Sequence, residues 1–147
     1  MMRAEMRIGR LLEVRAYLPI RLDEIPALVE TMRSIYERAP RLVVAILDAR
    51  TYGIEPPSAV DHFIETIKRD NPRIERSAFL IEPGQSLLGL QLDRVIREAG
   101  NPNRRLFRDV DAAKTFLKPA LTPEESVRLD AFLAAGAEPP PSSRAPT

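Results

Sequence analysis

Polar and apolar residues alternate at the start of the chain. They then recur at three and four through most of the remainder, with one short unbroken apolar run between. Residues 4–8 and 11–18 are predicted as two strands around Gly9-Arg10, where a Gly-X pair suits a type II′ hairpin. In the second strand Leu12, Val14, Ala16 and Leu18 alternate with Glu13, Arg15 and Tyr17, a period of two that marks one buried face. Ile25, Leu28, Val29, Met32, Ile35 and Tyr36 make one apolar stripe on a helix over 23–38, with Asp23 as its cap and Pro40 beyond its end. Leu42 to Leu47 is a continuous run of the kind that fills a central strand covered on both faces.

The pattern then repeats. After the loop TYGIEPP, a helix over 58–69 turns Val60, Phe63, Ile64 and Ile67 inward. Ser58 and Asp61 have the spacing of a capping box, and Asn71-Pro72 stops the helix. Residues 75–82 form a strand. A helix over 85–99 buries Leu88, Leu92, Val95 and Ile96 and ends at Gly100, where positive φ is expected. Residues 104–108 form a short strand, and Asp109 caps a helix carrying Val110, Ala113, Phe116 and Leu117. Thr122-Pro-Glu-Glu opens a last helix with a capping box, Pro123 at its first position and Gly136 at its end; Leu129, Phe132 and Leu133 are placed to pack on the domain. The order ββαβαβαβα plus one helix implies an α/β fold. It predicts a mixed, mostly parallel sheet of about five strands, led by a hairpin and flanked by four helices plus a C-terminal one.

Residues 1–118 are expected to form the domain, 119–136 to pack on it or extend it, and 137–147, rich in Pro and Ser, to be disordered. The apolar share of 44% is enough for a single core. The net charge of +1 gives no field toward nucleic acid or membrane, and Cys is absent. Arginine supplies nineteen of the 22 basic residues, which reads as a coding bias. Met1 to Arg10 has no signal-peptide core and no apolar run approaches membrane-spanning length, so the expected location is the cytoplasm.

Three stretches carry a family resemblance: LVVAILDAR (42–50), AGNPNRRLFRD (99–109) and VDAAKTFL (110–117). Over residues 4–118 the chain resembles the STAS domain, and among its members the bacterial STAS/SEC14-like (SpoIIAA-like, anti-sigma-factor-antagonist-like) proteins. The resemblance implies a regulatory module that meets another protein, such as a kinase, an anti-sigma-type factor or a larger signalling assembly, with a homodimer as an alternative. It also implies that Ser58, at the helix start following Asp48, is the phosphoacceptor. Pro56 and Pro57 stand where the antagonists carry Asp and Ser, and Ala59 replaces their Gly. The expected contact face is the 49–58 loop and the following helix start, with Asp48, Thr51, Tyr52, Ile54 and Pro56 as partner-binding residues. SEC14-like relatives enclose lipid, so a carrier of a small apolar ligand is the alternative function.

No catalytic set, metal site or cofactor is expected. Ser58, Asp61 and His62 lie within one helical turn, and no G-x-S-x-G elbow presents a nucleophile. Asp48, Glu55 and Asp61 lack metal-ligand spacing. Gly84-QSLL-Gly89 has P-loop spacing, but Leu90 and Gln91 stand where Lys and Ser or Thr are needed. Arg104, Arg105 and Arg108 read as a solvated strand edge or as ion-pair partners of Asp109 or Asp111.

Overall fold

The structure, a computed structural model, describes residues 2–17, 22–53 and 55–136. Its strands are β1 (Met2–Glu5), β2 (Leu11–Ala16), β3 (Val43–Asp48), β4 (Ile74–Leu80) and β5 (Arg104–Phe107). Its helices are α1 (Ile25–Arg38), α2 (Pro57–Asp70), α3 (Ser86–Ala99), α4 (Val110–Leu117) and α5 (Pro123–Ala135). The expected α/β fold is present: a mixed sheet led by an antiparallel hairpin, with the remaining strands parallel. Leu18, Ile54 and the tail 137–147 lie outside the described residues.

The strand order is β1-β2-β3-β4-β5. Crossovers of one hand that always advance in one direction return on the same side of the sheet. Accordingly α1, α2 and α3 share one apolar cluster with Leu12, Val14, Ala45, Leu47 and Phe79. The opposite face, with Leu11, Val44, Ile46, Ala78 and Leu80, is covered by α4 and α5. β2 is therefore buried along its whole length, Glu13 and Arg15 included. This corrects the one-sided alternation, because α5 brings charged and carbonyl partners to the polar side.

Several starts and stops agree with the local pattern. Gly100 has φ +72°, Asp109 accepts from the Ala112 amide, and Thr122 and Glu125 complete a capping box. Others differ. α1 is entered through a 3₁₀ turn, Leu22–Glu24, which puts Glu24 rather than Asp23 at its cap position. The β1–β2 connection runs from Met6 to Arg10 instead of turning tightly at Gly9-Arg10. β4 carries an extra residue, Glu75, opposite the Val43–Val44 step, which brings Ile74 to the α1–α3 face.

Both ends of α5 are tied to the sheet. At its start, buried Glu125 accepts from the Arg10 amide at 2.8 Å and the Thr122 amide at 2.8 Å. Arg10 in turn donates to Leu42 O at 3.1 Å, to Glu75 Oε1 at 2.6 Å and to Ala120 O. Gly9, at φ +54°, leaves no room for a Cβ because Glu125 Oε2 occupies that space. The variant Gly9→Ala combines left-handed strain of roughly 1–2 kcal/mol with displacement of a buried carboxylate. Chemical denaturation is expected to show a loss of at least about 2 kcal/mol, concentrated in the docking of α5.

Candidate interaction site at the strand C-termini

β3 ends at Asp48, 2% exposed, between two arginines. Arg15 Nη1 donates to Asp48 Oδ2 at 2.6 Å, and Arg50 donates to Oδ1 and Oδ2 at 3.0 and 2.9 Å. The same guanidinium groups reach the end of α5. Arg15 donates to Phe132 O at 2.6 Å and to Gly136 O, and Arg50 to Leu133 O at 2.9 Å. The Arg15 guanidinium also lies 4.0 Å from the centre of the Phe132 ring. Burial pulls the Arg15 pKa down against the opposing pull of Asp48, whereas the hydrogen bond to Asp48 raises that of Arg50. Asp48 is thus an internal strut and offers no carboxylate to a partner, which corrects its expected role.

The loop after β3 is held from inside. Tyr52 is buried in the α1–α3 core, and its hydroxyl donates to Glu55 Oε1 at 2.7 Å. Gln85 Nε2 donates to Ala49 O at 3.0 Å and Tyr52 O at 2.9 Å. Gln91 accepts from the Glu55 amide at 3.0 Å and donates to Glu55 O at 2.8 Å. These contacts tie the loop to α3 and turn Tyr52 away from solvent, so Tyr52 is also withdrawn from the expected partner-binding set. Thr51 and Pro56 are exposed, with Thr51 Oγ1 at 3.5 Å from Ala16 O. Ile54 lies outside the described residues.

Ser58 is exposed at the second position of α2, not at its cap. The cap position belongs to Pro56, which has no side-chain acceptor, so the Ser58–Asp61 capping box is absent. The hydroxyl faces solvent in a first turn with free amides and partial positive charge. α3 carries two exposed leucines, Leu87 at 59% and Leu90 at 66%. Positions 87, 90 and 94 share one helical face. Leu87 borders a depression with Tyr52 and Gly53, and Arg94 Nη2 donates to Asp61 Oδ1 at 3.1 Å. Leu90 between them therefore flanks the first turn of α2. The signal was in the sequence: Leu87 and Leu90 fall outside the 88-92-95-96 stripe.

A second feature lies deeper. A cavity of about 60 Å³ separates α1 and α2 from the sheet. Its walls include Leu28, Met32, Val14, Leu47, Phe63 and Phe79, with Glu55, Tyr36, Asp70 and Arg104 among them. Burial raises the Tyr36 hydroxyl, and the nearby Asp70 adds to the rise. Arg104 is buried, not a solvated edge residue and not a partner of Asp109 or Asp111. It donates to Asn71 Oδ1 at 2.9 Å and Ile67 O at 3.1 Å, ending α2. Burial lowers its pKa. His62 is exposed on α2. Among the described residues no group of three or more His, Asp or Glu could hold a metal, and no helix is long and apolar enough to cross a membrane.

Burial raises the Glu55 carboxyl above the usual glutamate range, and the bond from Tyr52 only partly opposes this. The folded state then holds the proton more tightly than the unfolded one. The stability contributed by Glu55 is full below the ordinary glutamate pKa and is lost as pH rises through the raised value. Urea denaturation of wild type and Glu55→Gln from about pH 4 to 8 is expected to show the variant gaining on wild type as pH rises. A constant difference across the series would contradict this placement of the carboxyl.

No protein-family model matches the sequence, and no curated protein matches it significantly. Among solved structures, an uncharacterised protein of the DUF3478 family from Shewanella loihica PV-4, with a SpoIIAA-like fold, superposes with a TM-score of 0.60 at 12% identity. The match covers 79% of this chain and 93% of that one. At this identity the likeness speaks for architecture alone: the chain has the SpoIIAA-like fold that its sequence resembles.

Proposed function

We propose that this chain is a non-catalytic regulatory module in signalling that binds a partner protein through the face where α3 flanks the start of α2. The observation that carries this reading is the exposed pair Leu87 and Leu90 beside an anchored loop. Isolated surface leucines are ordinary, but two on one helical face next to a rigid loop form a patch suited to a partner. Thr51, Pro56 and Ser58 are exposed on the neighbouring loop and helix start. Ser58 is its natural regulatory point. A phosphate there would gain from the α2 N-terminus and place about −1.5 to −2 charges beside the leucines. A kinase or an anti-sigma-type factor fits this arrangement.

The test uses photo-crosslinking from position 90 in cell extract, followed by affinity recovery with variants. Leu87→Asp and Leu90→Asp are expected to abolish recovery of the crosslinked protein, and Ser58→Glu to reduce it. Surface changes of this kind alter stability by only about ±0.5 kcal/mol, so the melting temperature should move by a few degrees at most. Recovery unaffected by both leucine substitutions would refute the reading.

The internal cavity favours a second reading, that of a carrier of a small apolar ligand. Its volume of about 60 Å³ is well below the roughly 300–1,000 Å³ of drug-sized ligand sites, so a lipid would require α1 to lift. Native mass spectrometry after gentle purification is expected to show a bound mass lost on Val14→Phe, which fills the space. A bare protein mass counts against the carrier.

A further inference from the structure

β5 is an edge strand, and its hydrogen bonds reveal which way each residue faces. The Ser77 amide donates to Asn103 O at 2.9 Å and the Ile81 amide to Phe107 O at 3.0 Å. In a parallel ladder this sets the main-chain groups of 103, 105 and 107 toward β4 and those of 104 and 106 outward. The Arg104 amide is taken by Asn101 O at 3.1 Å. Arg104 C=O and both main-chain groups of Leu106 are left facing outward from the sheet. Such an edge is a template for another strand.

The side chains beside this edge specify what could pair with it. Arg105 is exposed, with its guanidinium 5.0 Å from the centre of the Phe116 ring; Arg76 lies 5.4 Å from the same ring. Phe107 and Phe116 are partly exposed, with centroids 5.4 Å apart. Of the three arginines in residues 104–108, Arg105 and Arg108 are exposed; the stretch has no acid, and the neighbouring Asp109 carboxylate is committed to the Ala112 amide at 2.9 Å. We infer that the β5 edge takes an extended acidic segment of a partner protein by strand addition, its main chain pairing with Leu106 and its carboxylates, on the face that carries Phe116, meeting Arg105. A second copy fits poorly. Antiparallel pairing centred on Leu106 would set Arg105 opposite Phe107 of the copy and bring no carboxylate to either Arg105. The chain's own 137–147 segment has one acid, Glu138, and three consecutive prolines without amide donors. This edge is separate from the leucine face of α3, and the inference does not rest on the function proposed above.

The experiment uses the full-length chain, ¹⁵N-labelled, and a capped synthetic peptide of about six residues alternating Glu and Val. Titration is expected to saturate below about 1 mM. At saturation the Leu106 amide should exchange at least about tenfold more slowly, while Arg105 and Phe107, already bonded to β4, change little. Arg105→Glu, and separately a peptide with Lys in place of Glu, should each weaken binding by about tenfold. The milder Arg105→Gln keeps the edge testable if the charge reversal unfolds the strand. Saturation without slowing at Leu106, or no saturation, overturns the proposal. A free chain whose Leu106 exchange slows with protein concentration overturns it in favour of self-pairing.

Discussion

Parallel strands laid side by side in chain order, joined by crossovers of one hand, can cover only one face of their sheet. Everything distinctive about this molecule follows from that constraint. With β2 to β5 in sequence order, α1, α2 and α3 all fall on one side. The other side exposes Leu11, Val44, Ile46, Ala78 and Leu80 unless later chain returns to it. The segment beyond β5 makes that return, so α4 and α5 act as the second wall of the core. Burial of Leu129, Phe132 and Leu133, at about 1.5–3 kcal/mol each, is the driving force. The ion pairs around Glu13, Arg15 and Asp48 come close to break-even against their desolvation and so act mainly on position.

Positioning is done largely by arginine side chains on helix ends. The last carbonyls of a helix lack intrahelical donors and carry partial negative charge. Arg15 and Arg50 reach the end of α5, Arg76 donates to Phe116 O near the end of α4 at 2.6 Å, and Arg104 reaches the last turns of α2. Asn71, held by Arg104, donates to Ala99 O at the end of α3 at 2.6 Å. One planar fork can satisfy two acceptors at once, which an ammonium does less well. The excess of arginine over lysine therefore has a structural use here, beyond the coding bias that composition alone suggested.

This division of labour explains what was legible in the sequence. Thr122, Asp109 and Gly100 were readable because a cap is decided within about four residues. The central strand 42–47 was readable because an unbroken apolar run has few other uses. Ser58 was misplaced by two positions because Pro56 and Pro57 start the helix earlier. Glu13, Arg15 and Arg104 read locally as polar surface because their real partners lie far along the chain. Arg15 meets Phe132 and Gly136, and Arg104 meets Ile67 and Asn71. No short-range pattern encodes such pairings. Tyr52 reads as a docking residue from its loop alone, whereas Gln85 and Gln91, distant in sequence, fold that loop inward.

The same bookkeeping narrows where recognition can occur. A group already bonded inside the fold cannot serve a partner without being released, and releasing a buried charge from its pair costs about 3–5 kcal/mol. Asp48, Arg15 and Arg104 are excluded on that ground, and Tyr52 by its burial. What the fold leaves unused is of two kinds. Leu87 and Leu90 stand apart from the apolar stripe of α3, so the core does not depend on their being leucine. The outward main chain of Leu106 is a consequence of β5 ending the sheet. The fold itself hosts many functions, so the chemistry peculiar to this chain must lie among such surplus groups. On the two proposals, the apolar surface of α3 and the open strand edge beside Arg105 would select different partners, one by burial and one by backbone pairing and charge. They lie on different elements, so both can be engaged in one assembly.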